Sequence, residues 1–159
     1  MTPLYDVLKE YAQKKPARFH MPGHKGAFLP VPELMGAAML DVTELPPTGN
    51  LYEAGEPFDT AQRLWAQRFG FEACQFLTGG STMGIHTALA LLCKPGESVL
   101  IDRNCHRAAF NALALLDLEP VYLQRPWLQK LGMIGPIDPE NVEKKLKENP
   151  NIKTVCITS

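Results

Sequence analysis

At 159 residues the chain is long enough for one domain with a sizeable core. Its 45% hydrophobic content is that of a globular protein, and a formal net charge of −1 excludes any global pull toward nucleic acid or anionic membrane. No apolar run approaches the roughly 18 residues of a membrane span, and the N-terminus lacks the basic and apolar regions of a secretory signal, so a cytoplasmic protein is expected. The four cysteines, Cys74, Cys93, Cys105 and Cys156, form no C-x-x-C pair. Buried free thiols are expected from them, rather than a disulfide framework or a zinc site.

Residues 3–14 predict an amphipathic helix. Thr2 stands at the cap position, Pro3 at the first helical position, and Leu4, Leu8 and Tyr11 recur at helical spacing. Next comes Phe19-His20-Met21-Pro22-Gly23-His24-Lys25-Gly26, where proline and glycine forbid a regular element. His20 and His24 have the spacing of helical zinc ligands, but Pro22 and Gly23 break the helix that such a site requires, so no metal is expected. Residues 30–57 are rich in proline and glycine, with a short helix around Glu33–Met39. A segment this long and irregular is expected at a functional site or a subunit contact. Residues 57–69 predict a helix opened by Pro57 and ended by Gly70, with Phe58, Ala61, Leu64, Trp65 and Phe69 on its buried face.

From residue 73 the pattern alternates. An apolar run over 73–77 reads as a buried strand and 81–93 as a helix. After a turn at Lys94–Glu97 come a strand at 98–102, a helix at 106–116 and a strand at 120–123. A helix capped by Asp138 and started by Pro139 follows, with Val142 and Leu146 inward, and then a strand at 153–158. Strands alternating with helices predict an α/β fold with a mostly parallel sheet covered by helices. Ligands in such sheets sit beyond the carboxyl ends of the strands. Two motifs fall there. Gly80-Ser81-Thr82 joins a predicted strand to a helix N-terminus, where free backbone N–H groups, the helix dipole and two hydroxyls suit a phosphate. The spacing of Gly79, Gly80 and Gly84 fits neither a Walker loop nor a dinucleotide fingerprint. His106 opens the helix after the second strand, where an imidazole can stack on a flat ring, move a proton, or simply cap the helix. Asp102, Arg103 and Asn104 set the turn before it. Both motifs are expected to face one crevice.

Four stretches, Phe19–Gly26, Asp41-Val42-Thr43-Glu44, Gly80-Ser81-Thr82 and Asp102-Arg103-Asn104-Cys105-His106, resemble the ornithine/lysine/arginine decarboxylases in content and order. The resemblance runs from about residue 3 to the end, as in the short bacterial forms without an N-terminal wing domain. It implies a partial fold type I, aminotransferase-like major domain. Residues 1–56 would form an N-terminal helix and an active-site or interface segment, and residues 57–159 the first part of the cofactor-binding domain. It further implies pyridoxal 5′-phosphate as cofactor and a basic amino acid as substrate. The protein would be a homodimer or larger homo-oligomer with a place in polyamine biosynthesis. Gly80, Ser81 and Thr82 would hold the cofactor phosphate. His106 would stack on the pyridine ring and serve in catalysis, helping to protonate the carbon that loses carbon dioxide. Gly79, Ile85 and Arg107 depart from residues common in the family at those places.

The family's Schiff-base lysine and its pyridine-pairing aspartate are expected beyond Ser159, so residues 1–159 alone are expected to be inactive, a fragment or a truncated relic. Lys25 is not a substitute for that lysine. Another fold type I enzyme, an aminotransferase or a carbon–sulfur lyase, is the alternative, and the Asp-Arg-Asn-Cys-His run argues against it.

Overall fold

The structure is a computed structural model that describes residues 1–27 and 29–158. The chain divides into two compact units, Met1–Phe76 and Leu77–Ser159.

The first unit is helical. It contains α1 (Pro3–Gln13), a 3-10 turn (Pro32–Leu34) running into α2 (Met35–Leu40), and α3 (Phe58–Phe69). Its buried apolar residues are small: Ala12 of α1, Ala38 of α2, and Ala61 and Ala66 of α3. Alanine contacts let helix backbones approach closely, and α1 packs on both α2 and α3.

Three expectations are corrected here. Thr2 does not cap α1; its hydroxyl and its N–H both donate to the Asp6 carboxylate, at 2.8 and 3.0 Å. The ionised carboxylate is the stronger acceptor and takes both protons. On α3 the buried side is Ala61, Gln62 and Ala66, whereas Leu64, Trp65 and Phe69 are exposed. Trp65 is 52% exposed and stacks on Phe69 with ring centroids 5.3 Å apart. Small residues make the close helix contact, so the large rings extend past it. The third correction concerns 73–77, which forms no strand among the described residues. The Phe76 N–H donates instead to Oε1 of the buried Gln62, at 3.0 Å. Apolar composition made this run compatible with a strand, but a strand also needs a neighbour to pair with. Gly70 does end α3, in the left-handed region at φ 72°.

The second unit is α/β, as the alternation predicts. Its elements are α4 (Gly80–Leu92), β1 (Ser98–Asp102), α5 (Arg107–Leu115), β2 (Glu119–Leu123), a small hairpin of β3 (Trp127–Leu128) and β4 (Met133–Ile134), α6 (Pro139–Glu148) and β5 (Ile152–Cys156). β1 lies between β2 and β5 and is parallel to both. Being central, β1 buries both faces: Val99, Leu100, Ile101 and Asp102 are fully buried. Val99 and Ile101 form a core with Leu89 of α4, with Cys93 just past its end, and with Ala109, Ala112 and Leu113 of α5. Leu100 is carried on the opposite face, in register with Val121 and Val155. Asp138 caps α6 by accepting from the Glu140 N–H at 3.0 Å, with Pro139 in the first turn, yet no residue of α6 is buried.

Candidate active site

The direction of α4 follows from its far end. The Cys93 thiol donates to the Thr154 hydroxyl at 3.2 Å, and Thr154 is the register partner of Val99 near the start of β1. From that amino-end anchor α4 runs back toward the carboxyl edge of the sheet, and its length of about 20 Å exceeds the roughly 17 Å of β1. α5 begins at the same edge, just past Asp102. The two helices meet where His86 Nε2 of α4 lies 3.1 Å from the Ala108 carbonyl in the first turn of α5. Ser81 lies about 7.5 Å further along the α4 axis at the usual helical rise. Both N-termini therefore open at the carboxyl edge of one sheet face, and Gly80, Ser81, Thr82 and His106 are all exposed there.

At the start of α4, Gly79 has φ −83° and ψ 13°, and Gly80 turns to φ +66°. That succession, right-handed then left-handed, makes successive backbone N–H groups into an anion-binding concavity. Gly79, at the cap position, has no side chain to bring to the first N–H groups of the helix. A Cβ on Gly80 would meet nothing within 4 Å, so the space beside the turn is open; one on Gly79 would strike Met83 Cβ at 2.8 Å. Backbone, hydroxyls and open space together fit a phosphate.

His106 is the cap of α5. Its Nδ1 accepts the Ala108 N–H at 3.1 Å. In the neutral ring Nδ1 is then the acceptor, and the proton sits on Nε2. The cap thus fixes the tautomer, with Nε2 as the protonated nitrogen.

The turn before His106 is built by Asp102. Its Oδ1 accepts the Asn104 N–H at 3.0 Å, and its carbonyl accepts the Cys105 N–H at 3.1 Å. The carboxylate is fully buried and takes both Nε (3.2 Å) and Nη2 (2.5 Å) of Arg125. Arg125 also donates to the Thr158 carbonyl, and the Thr158 N–H lies 3.4 Å from Asp102 Oδ2. Burial pushes the Asp102 carboxyl upward, but the Asn104 amide, the guanidinium and the Thr158 amide outweigh it and hold it below its ordinary value. Burial raises the thiols of Cys105 and Cys156, reinforced by the nearby Asp102 charge and, for Cys105, by Cys156. Sequence reasoning assigned Asp102 to the turn but missed Arg125 and His86. An arginine 23 positions away leaves no local signal.

In the first unit the 18–27 segment is tied down rather than solvated. His20 Nε2 accepts from the Tyr11 hydroxyl at 2.6 Å, His24 Nε2 donates to Asp41 at 3.1 Å, and Lys25 Nζ donates to the His20 carbonyl at 2.5 Å. Phe28, just beyond it, lies outside the described residues.

The profile of the Orn/Lys/Arg decarboxylase major domain matches residues 2–159. The chain belongs to the Orn/Lys/Arg decarboxylase family. It is 30% identical to the uncharacterized protein YaaO of Bacillus subtilis, over 99% of this chain and 34% of that protein. It is 29% identical to an arginine decarboxylase of the same organism, over 98% and 33%. The structure of the Escherichia coli constitutive lysine decarboxylase superposes on 96% of this chain and 24% of its own, with a TM-score of 0.78 and 25% identity. The chain spans about a third of the length of the curated relatives it matches. The family is one of amino-acid decarboxylases, which are lyases. No helix among the described residues is long and apolar enough to cross a membrane.

Proposed function

We propose that this chain forms part of a pyridoxal 5′-phosphate-dependent decarboxylase of a basic amino acid: lysine, arginine or ornithine. The observation that carries the reading is the pairing of a glycine-turned helix N-terminus with a tautomer-fixed imidazole at one carboxyl edge. Gly80, Ser81 and Thr82 hold the cofactor phosphate through backbone N–H groups, with the Ser81 and Thr82 hydroxyls as added donors. The His106 ring offers a flat face for stacking, and Nε2 holds or moves a proton there. When bound, the cofactor supplies the electron sink for loss of carbon dioxide. The working protein is a cytoplasmic homodimer or larger homo-oligomer.

Cofactor retention by the full-length protein tests the reading. Charge-assisted hydrogen bonds contribute about 1.5–3 kcal/mol each, so losing both hydroxyls in S81A/T82A should weaken pyridoxal phosphate binding at least about tenfold. Binding of pyridoxal, which lacks the phosphate, should not change. Equal effects on the two compounds would remove the phosphate from this turn.

A further inference from the structure

Four residues before His106, a buried ion pair joins the tips of all three strands. Asp102 ends β1, Arg125 follows β2 by two residues, and Thr158 follows β5 by two. Arg125 grips the carboxylate with both Nε and Nη2 and reaches the Thr158 carbonyl; the Arg103 N–H closes the gap to the Leu123 carbonyl at 2.9 Å. The carboxylate in turn sets the Asn104 amide, and the Asp102 carbonyl sets that of Cys105. His106 is the next residue, and its ring accepts a hydrogen bond from the Ala108 N–H.

We infer that Asp102 and Arg125 are positioning residues that lock the turn into His106, and so hold its imidazole in one tautomer and one orientation at the carboxyl edge. The inference rests on the proposed role of His106. Elsewhere, replacing a buried ion pair with apolar residues often leaves stability intact, so stability alone is a weak reason for one here. Its geometry supplies something an apolar pair lacks: a fixed acceptor for the Asn104 amide, anchored to two neighbouring strands. Misplacing a reacting group by about 1 Å can cost roughly a hundredfold in rate. The pair touches no reacting atom; it acts through His106.

The test uses R125A and R125K in the full-length protein, with two readouts. Long-range 1H–15N NMR of the His106 ring reports the Nε2–H tautomer in the unaltered protein and should move toward a mixture of tautomers in R125A. In the same variant kcat should fall roughly 10–100-fold with KM within about threefold. A cavity of about 200 Å³ beside Arg125, lined by Arg103, Asn104, Gln124 and Ile134, gives added guanidinium ion a way in. Guanidinium should restore part of the tautomer signature and part of kcat. R125K keeps the charge without the fork and should fall between; if R125A does not fold, R125K decides by the same two readouts. An unchanged ring signature with unchanged kcat in the folded variants overturns the inference. H106A separates it from the functional reading. Full turnover in H106A refutes the role of His106 itself, whereas lost turnover in H106A beside unaltered R125A refutes only the positioning pair.

Discussion

Removing the Arg125 guanidinium while keeping its aliphatic bulk, as in Arg125→Met, isolates the energetic role of the buried pair. Asp102 is fully buried and the Arg125 side chain is only 14% exposed, so solvent screens the interaction little. Breaking such a pair by taking one partner costs about 3–5 kcal/mol, because a charge is left in a poorly solvating interior. The Asn104 and Thr158 amides still face the carboxylate, which places the expected loss near the lower figure, about 3 kcal/mol. Domain stabilities run at about 5–15 kcal/mol, so this is a large share. Urea unfolding followed by circular dichroism measures it at pH 7. The double variant D102L/R125M, which buries no charge, should recover at least about half of the loss. A loss in R125M below about 0.5 kcal/mol, the level of an ordinary surface change, would refute the reasoning. So would a double variant as unstable as the sum of the singles. Acid supplies the sign. The folded-state pKa of Asp102 is depressed, so its stabilisation is complete above the ordinary value of 3.8 and is lost as pH falls through the folded value. R125M should flatten that acid limb.

Other outcomes can be read directly. Gly80→Ala forces an alanine to φ +66°, costing about 1–2 kcal/mol, and should also weaken pyridoxal phosphate binding; equilibrium unfolding and cofactor dialysis measure the two effects. His106→Ala should lower turnover of the full-length protein by orders of magnitude and, through the lost cap, destabilise α5 by about 0.5–2 kcal/mol. Unchanged kcat would take His106 out of the site. Cys105 and Cys156 have raised thiol pKa values, so at pH 7.5 they hold less thiolate than a free cysteine peptide; mass spectrometry after iodoacetamide should find them labelled more slowly. Leu100→Ala, at a fully buried position of β1, should cost about 2–5 kcal/mol in urea unfolding.

The second unit was legible because its signals are local. Asp138 and Pro139 start a helix wherever an apolar face follows, and Val99–Ile101 can only be a central strand once helices flank it. Gly80, Ser81, Thr82 and His106 could be placed at helix starts for the same reason. What escaped depends on partners distant in sequence. Ala73–Leu77 has strand composition but no ladder, and its Phe76 amide goes to Gln62, a residue no hydropathy pattern would bury. Trp65 was read as core from its helical spacing, yet alanines make the close contacts of α3. The Asp102–Arg125 pair spans a helix, a strand and their connections, so neither residue announces the other.

The three-stranded order leaves β2 and β5 as borders of the sheet, and the two borders differ. β2 carries Pro120, which has no N–H to offer on either side, so a strand laid along it would find a gap in the donor row. β5 runs from Ile152 to Cys156 without proline, and Val155 is 40% exposed. Growth by strand addition is therefore favoured on the β5 side. In a concentrated solution of residues 1–159, that border is where chains would first adhere to one another, and a lysine placed at Val155 should keep them apart.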